Sequence, residues 1–255
     1  MRKLDLAIVK LASCSGCLNE VLYSLVSRQE LLKHLDILYF TEFQDLNDVK
    51  EVDLAIVEGS VATSEHEEFL KLVREKSRLV LALGTCAVYG GVQSLRVGED
   101  LRKVVEASYP NPSFIEVLPD VKSVDSVVSV DYKLPGCPVN GESLARLLVK
   151  LALGGSETPI VENLCSECKR RGVFCVTVLS GKPCLGPVVM AGCGALCPSF
   201  GRGCYGCYGL STLVVDRERL EEFLKTLEKF GVGRDDLVAL LKAYSYSSLS
   251  KLIAR

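Results

Sequence analysis

Leu4-Asp5-Leu6-Ala7-Ile8-Val9-Lys10-Leu11-Ala12-Ser13-Cys14-Ser15-Gly16-Cys17-Leu18 is the stretch on which the reading of this chain turns. It begins as a short apolar run with β-branched residues. It then becomes a Ser/Gly/Cys loop, and an amphipathic segment, roughly Leu18–Ser27, follows. A strand that ends in a thiol-bearing loop and passes into a helix predicts an α/β fold, with chemistry placed at the carboxyl end of a strand.

The pattern repeats outward from there. Leu35–Phe40, Asp53–Val57, Arg78–Leu83 and Asp131–Leu134 are further strand-like runs bounded by polar residues, Gly or Pro. Ser64–Lys76 and Glu142–Leu153 read as helices between or after them. Thr63 or Ser64 is placed to cap the first of these, with Glu67 or Glu68 set for a capping box. Alternating strands and helices predict a mostly parallel sheet with right-handed crossovers.

Cys14 and Cys17 follow the first strand; Cys86 follows the fourth through Gly84-Thr85; Cys137 follows the last through Pro135-Gly136. Glu58-Gly59-Ser60 leaves the third strand in the same way. Four cysteines spread over 124 residues are thus expected on loops at one sheet edge, where one tetrahedral zinc or one cubane iron–sulfur cluster could be held. Taken alone, Cys14-x-x-Cys17 also suits a thioredoxin-like dithiol, and Cys86 alone suits a buried structural thiol. Glu58 is the leading non-cysteine candidate, as a hydrogen-bond acceptor near this site. His34 and His66, the two histidines, read as solvated surface residues.

Eight more cysteines (Cys165, Cys168, Cys175, Cys184, Cys193, Cys197, Cys204 and Cys207) crowd into 43 residues. A boundary is expected in Gly154–Pro159, dividing the chain into 1–155 and 156–255. Cys165-x-x-Cys168 paired with Cys204-x-x-Cys207 would give a zinc-ribbon arrangement, but four thiols would be left over and the gap is too long. Eight glycines within 181–209 favour iron–sulfur chemistry, because backbone amides there can approach cluster sulfides. Twelve cysteines make three groups of four. After Val215 the helical pattern returns. Leu220, Phe223, Leu224, Leu227 and Phe230 fall on one face, and Asp235–Ile253 reads as one or two more helices packed over the second region.

Composition narrows the function classes. The 255 residues carry a net charge of −2, without the basic excess of a dedicated nucleic-acid binder. No apolar run is long enough to span a membrane, and Met1–Asp5 leads straight into a strand with no apolar signal segment or twin-arginine leader, so a cytoplasmic setting is expected. Disulfide scaffolds belong mainly to small exported chains. No Gly-x-Gly-x-x-Gly follows a strand, which leaves flavin or nicotinamide binding unsupported. A chain with several clusters and no acid–base constellation reads as an electron wire.

Several motifs together resemble the small, electron-transferring subunit of NiFe hydrogenases, closest to the archaeal sulfhydrogenase delta and methyl-viologen (deazaflavin-nonreducing) types. They are Cys14-Ser15-Gly16-Cys17, Val57-Glu58-Gly59-Ser60, Gly84-Thr85-Cys86-Ala87, Pro135-Gly136-Cys137-Pro138, Pro183-Cys184-Leu185-Gly186-Pro187, Gly192-Cys193-Gly194-Ala195 and Cys204-Tyr205-Gly206-Cys207-Tyr208-Gly209. The resemblance implies a flavodoxin-like domain over 1–155 and an irregular two-cluster domain with a helical tail over 156–255. It implies three 4Fe–4S clusters: proximal on Cys14, Cys17, Cys86 and Cys137; distal on Cys165, Cys168, Cys175 and Cys184; medial on Cys193, Cys197, Cys204 and Cys207. Cys165 stands where many periplasmic relatives carry histidine. Cys197 supplies a thiolate where some have proline. The nickel site would lie on a large partner subunit, since no Asp-Pro precedes Cys204 and no histidine follows Cys207. The implied electron-exit partner is a flavin or iron–sulfur subunit, heterodisulfide reductase or a soluble carrier. Two alternatives stand beside it: an electron-transfer subunit of a nickel-free complex related to respiratory complex I, and a zinc-stabilised binding module.

Overall fold

The computed structural model describes residues 3–45, 48–156, 161–211 and 216–253. Five parallel strands form one sheet: β1 (Leu4–Lys10), β2 (Leu35–Phe40), β3 (Val52–Glu58), β4 (Ser77–Leu83) and β5 (Tyr132–Leu134), in the order β2-β1-β3-β4-β5. This is the flavodoxin-like doubly wound order, in which the chain reverses direction across the sheet beside β1 and β3. The five strands fall where hydrophobic patterning puts them, within a residue or so at each end.

Five helices accompany the sheet: α1 (Gly16–Ser27), α2 (Ser64–Glu75), α3 (Gly84–Tyr89), α4 (Leu101–Ser108) and α5 (Gly141–Ala152). Both faces are covered, so the central strands read as continuous apolar runs. Leu6, Ile8, Leu54, Ile56, Leu81 and Leu83 pack with Leu18 and Val21 of α1 and Leu144 and Leu148 of α5. Ala7, Val9, Ala55, Val57, Val80 and Ala82 face the other way, onto Leu70 and Val73 of α2.

The start of α2 departs from expectation. Thr63 caps it by accepting the His66 N–H at 3.1 Å, but the reciprocal bond comes from His66, not from Glu67 or Glu68. His66 Nδ1 accepts the Ala62 N–H at 3.3 Å. This histidine is therefore half-buried, and burial lowers its pKa. Glu67 instead pairs with Lys122. His34 is exposed, as expected.

Three short helices follow, α6 (Leu164–Arg170), α7 (Val176–Ser180) and α8 (Leu196–Ser199). The isolated bridges Asn163–Met190 and Val189–Leu210 are the strand-like pairings among the described residues of this region. Of the expected boundary at 154–159, residues 157–159 lie outside the described residues. The region acquires an apolar core from the tail, α9 (Arg217–Glu228) and α10 (Arg234–Ile253). Leu220, Leu224 and Leu227 of α9, with Leu237 and Leu241 of α10, pack on Leu185, Val188, Val189, Tyr208 and Leu210. Phe223 is partly buried on that cluster, whereas Phe230, past the end of α9, is exposed.

The tail covers the second region as expected, and it also reaches further. α10 packs on α3 and on the turn Val92–Arg96, where Lys242 Nζ donates to the Leu95 carbonyl at 3.1 Å. It bends at Ser245 (φ −147°), whose buried hydroxyl accepts the Leu210 N–H at 2.9 Å. No helix among the described residues is long and apolar enough to cross a membrane.

Candidate metal centre

In a parallel sheet every strand ends on the same side. The turns leaving β1, β4 and β5 bring Cys14, Cys17, Cys86 and Cys137 to that side. Cys14 and Cys137 sit on loops; Cys17 and Cys86 lie instead in the first turns of α1 and α3. Burial pushes the Cys17 thiol up to about 12, and Glu58, Cys86 and Cys137 add to the effect. Cys86 is likewise pushed up to about 12 by burial, then by Glu58, Cys137 and Cys14. Cys137 is raised by burial, then by Cys14 and Glu58. The four thiols feel one another. Cys86 and Cys137 come to the same sheet edge as Cys14 and Cys17, which a two-cysteine thioredoxin-like reading leaves unexplained.

The backbone passes close against the thiols. Gly84 has φ +82°, and a Cβ there would overlap the Cys17 sulfur. Ser15 and Ala195 are the non-glycine residues with positive φ (65° and 52°) among those described. Each lies beside a thiol, Cys14 or Cys193, and strained backbone of this kind gathers at functional sites. Cys86 donates to Gln93 Oε1 at 3.6 Å, while Gln93 Nε2 donates to the Ala12 carbonyl at 2.7 Å. Nothing in the sequence singles out Gln93. Glu58 is 2% exposed and accepts a hydrogen bond from the Ser13 hydroxyl. Its pKa is raised by burial against the opposing effects of Ser13 and Lys10. The expected acceptor role is present, with Ser13 as the donor.

In the second region the thiols fall into two neighbourhoods. The sulfurs of Cys184 and Cys165 lie 3.3 and 3.5 Å from the point a Cβ on Gly186 would occupy. Cys165 is raised by burial, then by Cys184 and Cys175, while Cys168 is pushed up to about 11 by burial, then by Cys165 and Cys184. Cys193 is raised by burial and feels Cys197; Cys207 is pushed up to about 11 by burial, then by Cys193 and Cys197. Cys204 is raised by burial, with Cys184, Cys207 and Cys193 contributing.

A direct contact links the neighbourhoods: the Cys204 N–H donates to Cys184 Sγ at 3.2 Å. Glu167, between Cys165 and Cys168, accepts the N–H groups of Gly192, Gly194 and Ala195 at 3.1, 3.0 and 3.3 Å. It joins α6 to the Cys193 loop. A carboxylate inside a Cys-x-x-Cys pair is the sequence signal that could have found it.

All twelve thiols are free. Among the described residues, no group of three or more His, Cys, Asp or Glu is set to hold a single metal ion. Soft sulfur donors suit iron–sulfur clusters, whose thiolates stand around a larger body than one ion. Glycine-lined sulfurs and amide donors to sulfur (Cys204 to Cys184, and Gly206 to Cys204 at 3.3 Å) fit the same group.

Comparison with known proteins agrees with this chemistry. Residues 14–151 match the family described as NADH ubiquinone oxidoreductase, 20 Kd subunit. The chain is 35% identical to the sulfhydrogenase 2 subunit delta of Pyrococcus furiosus, covering 82% of this chain and 87% of that protein. It is 33% identical to a subunit of the vhu F420-non-reducing hydrogenase of Methanococcus voltae, over 84% and 85% respectively. Among solved structures, an NAD+-reducing [NiFe]-hydrogenase in the H2-reduced state has a chain 27% identical, with TM-score 0.57, over 62% of this chain and 96% of its own. The [NiFeSe] hydrogenase of Desulfovibrio vulgaris Hildenborough, 17% identical with TM-score 0.54, shares the fold over 82% of this chain and 94% of its own. The chain belongs to the NADH ubiquinone oxidoreductase 20 Kd subunit family, and within it to the iron–sulfur, electron-transferring small subunits of NiFe hydrogenases.

Proposed function

We propose that this subunit relays single electrons over three 4Fe–4S clusters between the NiFe site of a large catalytic subunit and an acceptor. Cys14, Cys17, Cys86 and Cys137 would hold the proximal cluster; Cys193, Cys197, Cys204 and Cys207 the medial; Cys165, Cys168, Cys175 and Cys184 the distal. The observation that carries this reading is the convergence of Cys14, Cys17, Cys86 and Cys137 at one sheet edge, followed in the second region by eight more free thiols. When bound, each cluster supplies a one-electron store whose potential responds to its ligands, amide hydrogen bonds and burial.

The chain's own residues do the rest. The sheet edge fixes the first four thiols, and burial keeps those of Cys17 and Cys86 protonated until a cation displaces the proton. Glu167 ties the distal and medial loops. In this reading residues 1–155 form a flavodoxin-like domain and 156–255 an iron–sulfur domain with a helical tail, which α10 clasps to the first. As a hydrogenase small subunit the chain pairs with a large catalytic subunit. The exit partner is a flavin or iron–sulfur subunit or heterodisulfide reductase. Twelve thiols without a disulfide suit the reducing cytoplasm, and the balanced charge leaves no nucleic-acid role.

The family match over residues 14–151 also favours a second reading, a nickel-free relative of respiratory complex I. Eight cysteines beyond residue 151 weigh against it. The complex, purified anaerobically through a tag on this chain, is analysed for nickel, iron, zinc and acid-labile sulfide. Nickel with a large subunit, plus iron and sulfide near 12 each for this chain (about four per cluster), is the expected result. Iron and sulfide without nickel would favour the second reading. Zinc without sulfide would overturn both.

A further inference from the structure

The proximal and medial thiol sets come from different parts of the chain, yet one buried hydroxyl ties them. Thr85, 1% exposed, precedes Cys86 at the start of α3. Its backbone N–H donates to the Gly136 carbonyl at 2.9 Å, and its Oγ1 accepts the Gly136 N–H at 3.1 Å. The same Oγ1 donates to the Cys207 carbonyl at 2.5 Å. Thr85 therefore clamps the Cys86 turn to the loop before Cys137, and both to the segment that carries Cys207. The hydroxyl's single proton is committed to Cys207 and one lone pair to Gly136, so no other arrangement satisfies all three groups.

The clamp seats the Cys207 segment on the sheet edge. Beside it, the Tyr208 ring lies 3.0 Å from the point a Cβ on Gly136 would occupy. The proximal and medial thiol segments therefore meet at one junction, held through Thr85 and Gly136.

We propose that Thr85 is the positioning residue for electron passage between the proximal and medial sets: it holds the Cys86 turn, the loop before Cys137 and the Cys207 segment in one arrangement, setting the route between the two centres. This rests on the three-cluster reading above. One electron leaves the proximal set and one arrives at the medial set, with no bond made or broken and no proton required.

The test uses the complete complex carrying Thr85→Val, which keeps the shape and removes the hydroxyl, beside Thr85→Ser, which keeps the hydroxyl and removes the methyl. Iron and sulfide are measured first, then the magnetic interaction of the two reduced centres by electron paramagnetic resonance. Thr85→Val is expected to load both centres and to weaken their interaction. Thr85→Ser is expected to match wild type. Should Thr85→Val fail to load iron, Thr85→Ala against Thr85→Ser carries the same contrast. A loaded Thr85→Val complex with wild-type interaction would overturn this role alone, as would damage in Thr85→Ser but not in Thr85→Val. Absence of iron from the wild-type complex would instead overturn the cluster reading.

Discussion

The two thiol-bearing regions solve the same problem by different means. Cys14, Cys17, Cys86 and Cys137 hang from a sheet whose strands are buried on both faces, and of the four Cys17 also belongs to its apolar core. The later eight sit in a segment with three short helices and isolated bridges, where hydrogen bonds run to sulfur and to Glu167 more than between strands. A preformed scaffold can wait for its metal. A segment organised around its donors gains most of its folding free energy from binding it.

The largest expected effect follows directly. Stripping iron and sulfide from the protein should abolish amide-exchange protection across 161–211 while β1, β3 and β4 stay protected, as read by hydrogen exchange resolved by peptide. Loss of protection in both regions together would break the contrast.

Single ligands sharpen it. Cys86→Ser should halt dihydrogen-dependent dye reduction while nickel stays bound and the sheet stays folded. Cys184→Ser removes a sulfur that accepts the Cys204 amide as well as a thiol beside Cys165. It should therefore also lower the thermal midpoint of the second region. Dye reduction at the wild-type rate in Cys86→Ser would refute the first role, and an unchanged midpoint in Cys184→Ser the second.

How much of this is legible in the sequence divides along the same line. Strand positions and the convergence of Cys14, Cys17, Cys86 and Cys137 follow from short, nearly continuous apolar runs and from the loops that leave them, because a parallel sheet converts sequence order into spatial order. The helical starts at Cys17 and Cys86 are not legible there: the segments begin at glycine, without a side-chain cap. Thr85 and Gln93 are invisible as partners because their contacts, to Cys207 and to Ala12, are set by packing and not by spacing. The reach of α10 onto α3 is equally hidden, since an amphipathic pattern names an apolar face and not what covers it.

Smaller effects test the junctions. Asp216 caps α9 through the Arg219 N–H at 2.9 Å, so Asp216→Ala should cost about 0.5–2 kcal/mol in denaturant unfolding of the loaded protein. A cost near zero would mean that α9 is held by its packing alone.

The smallest expected effect lies in the first region. His66 must be neutral to accept the Ala62 N–H, and its folded pKa lies below the ordinary 6.5. Its contribution is fully present above that unfolded value and is lost as pH falls from about 6.5 through the folded pKa, because the unfolded chain then binds the proton first. His66→Gln should flatten that part of the stability–pH curve. An unchanged slope would assign it to other groups.

The bend of α10 at Ser245 has a mechanical consequence. A straight rod meets one flat wall, whereas a rod broken at the right residue becomes a bracket that grips two walls set at an angle. Here one arm bears on α3 and the other on the leucines of α9, with the elbow bolted to Leu210. In the proposed relay, where electron transfer weakens steeply as a gap widens, such a bracket would hold the gap between the two regions steady.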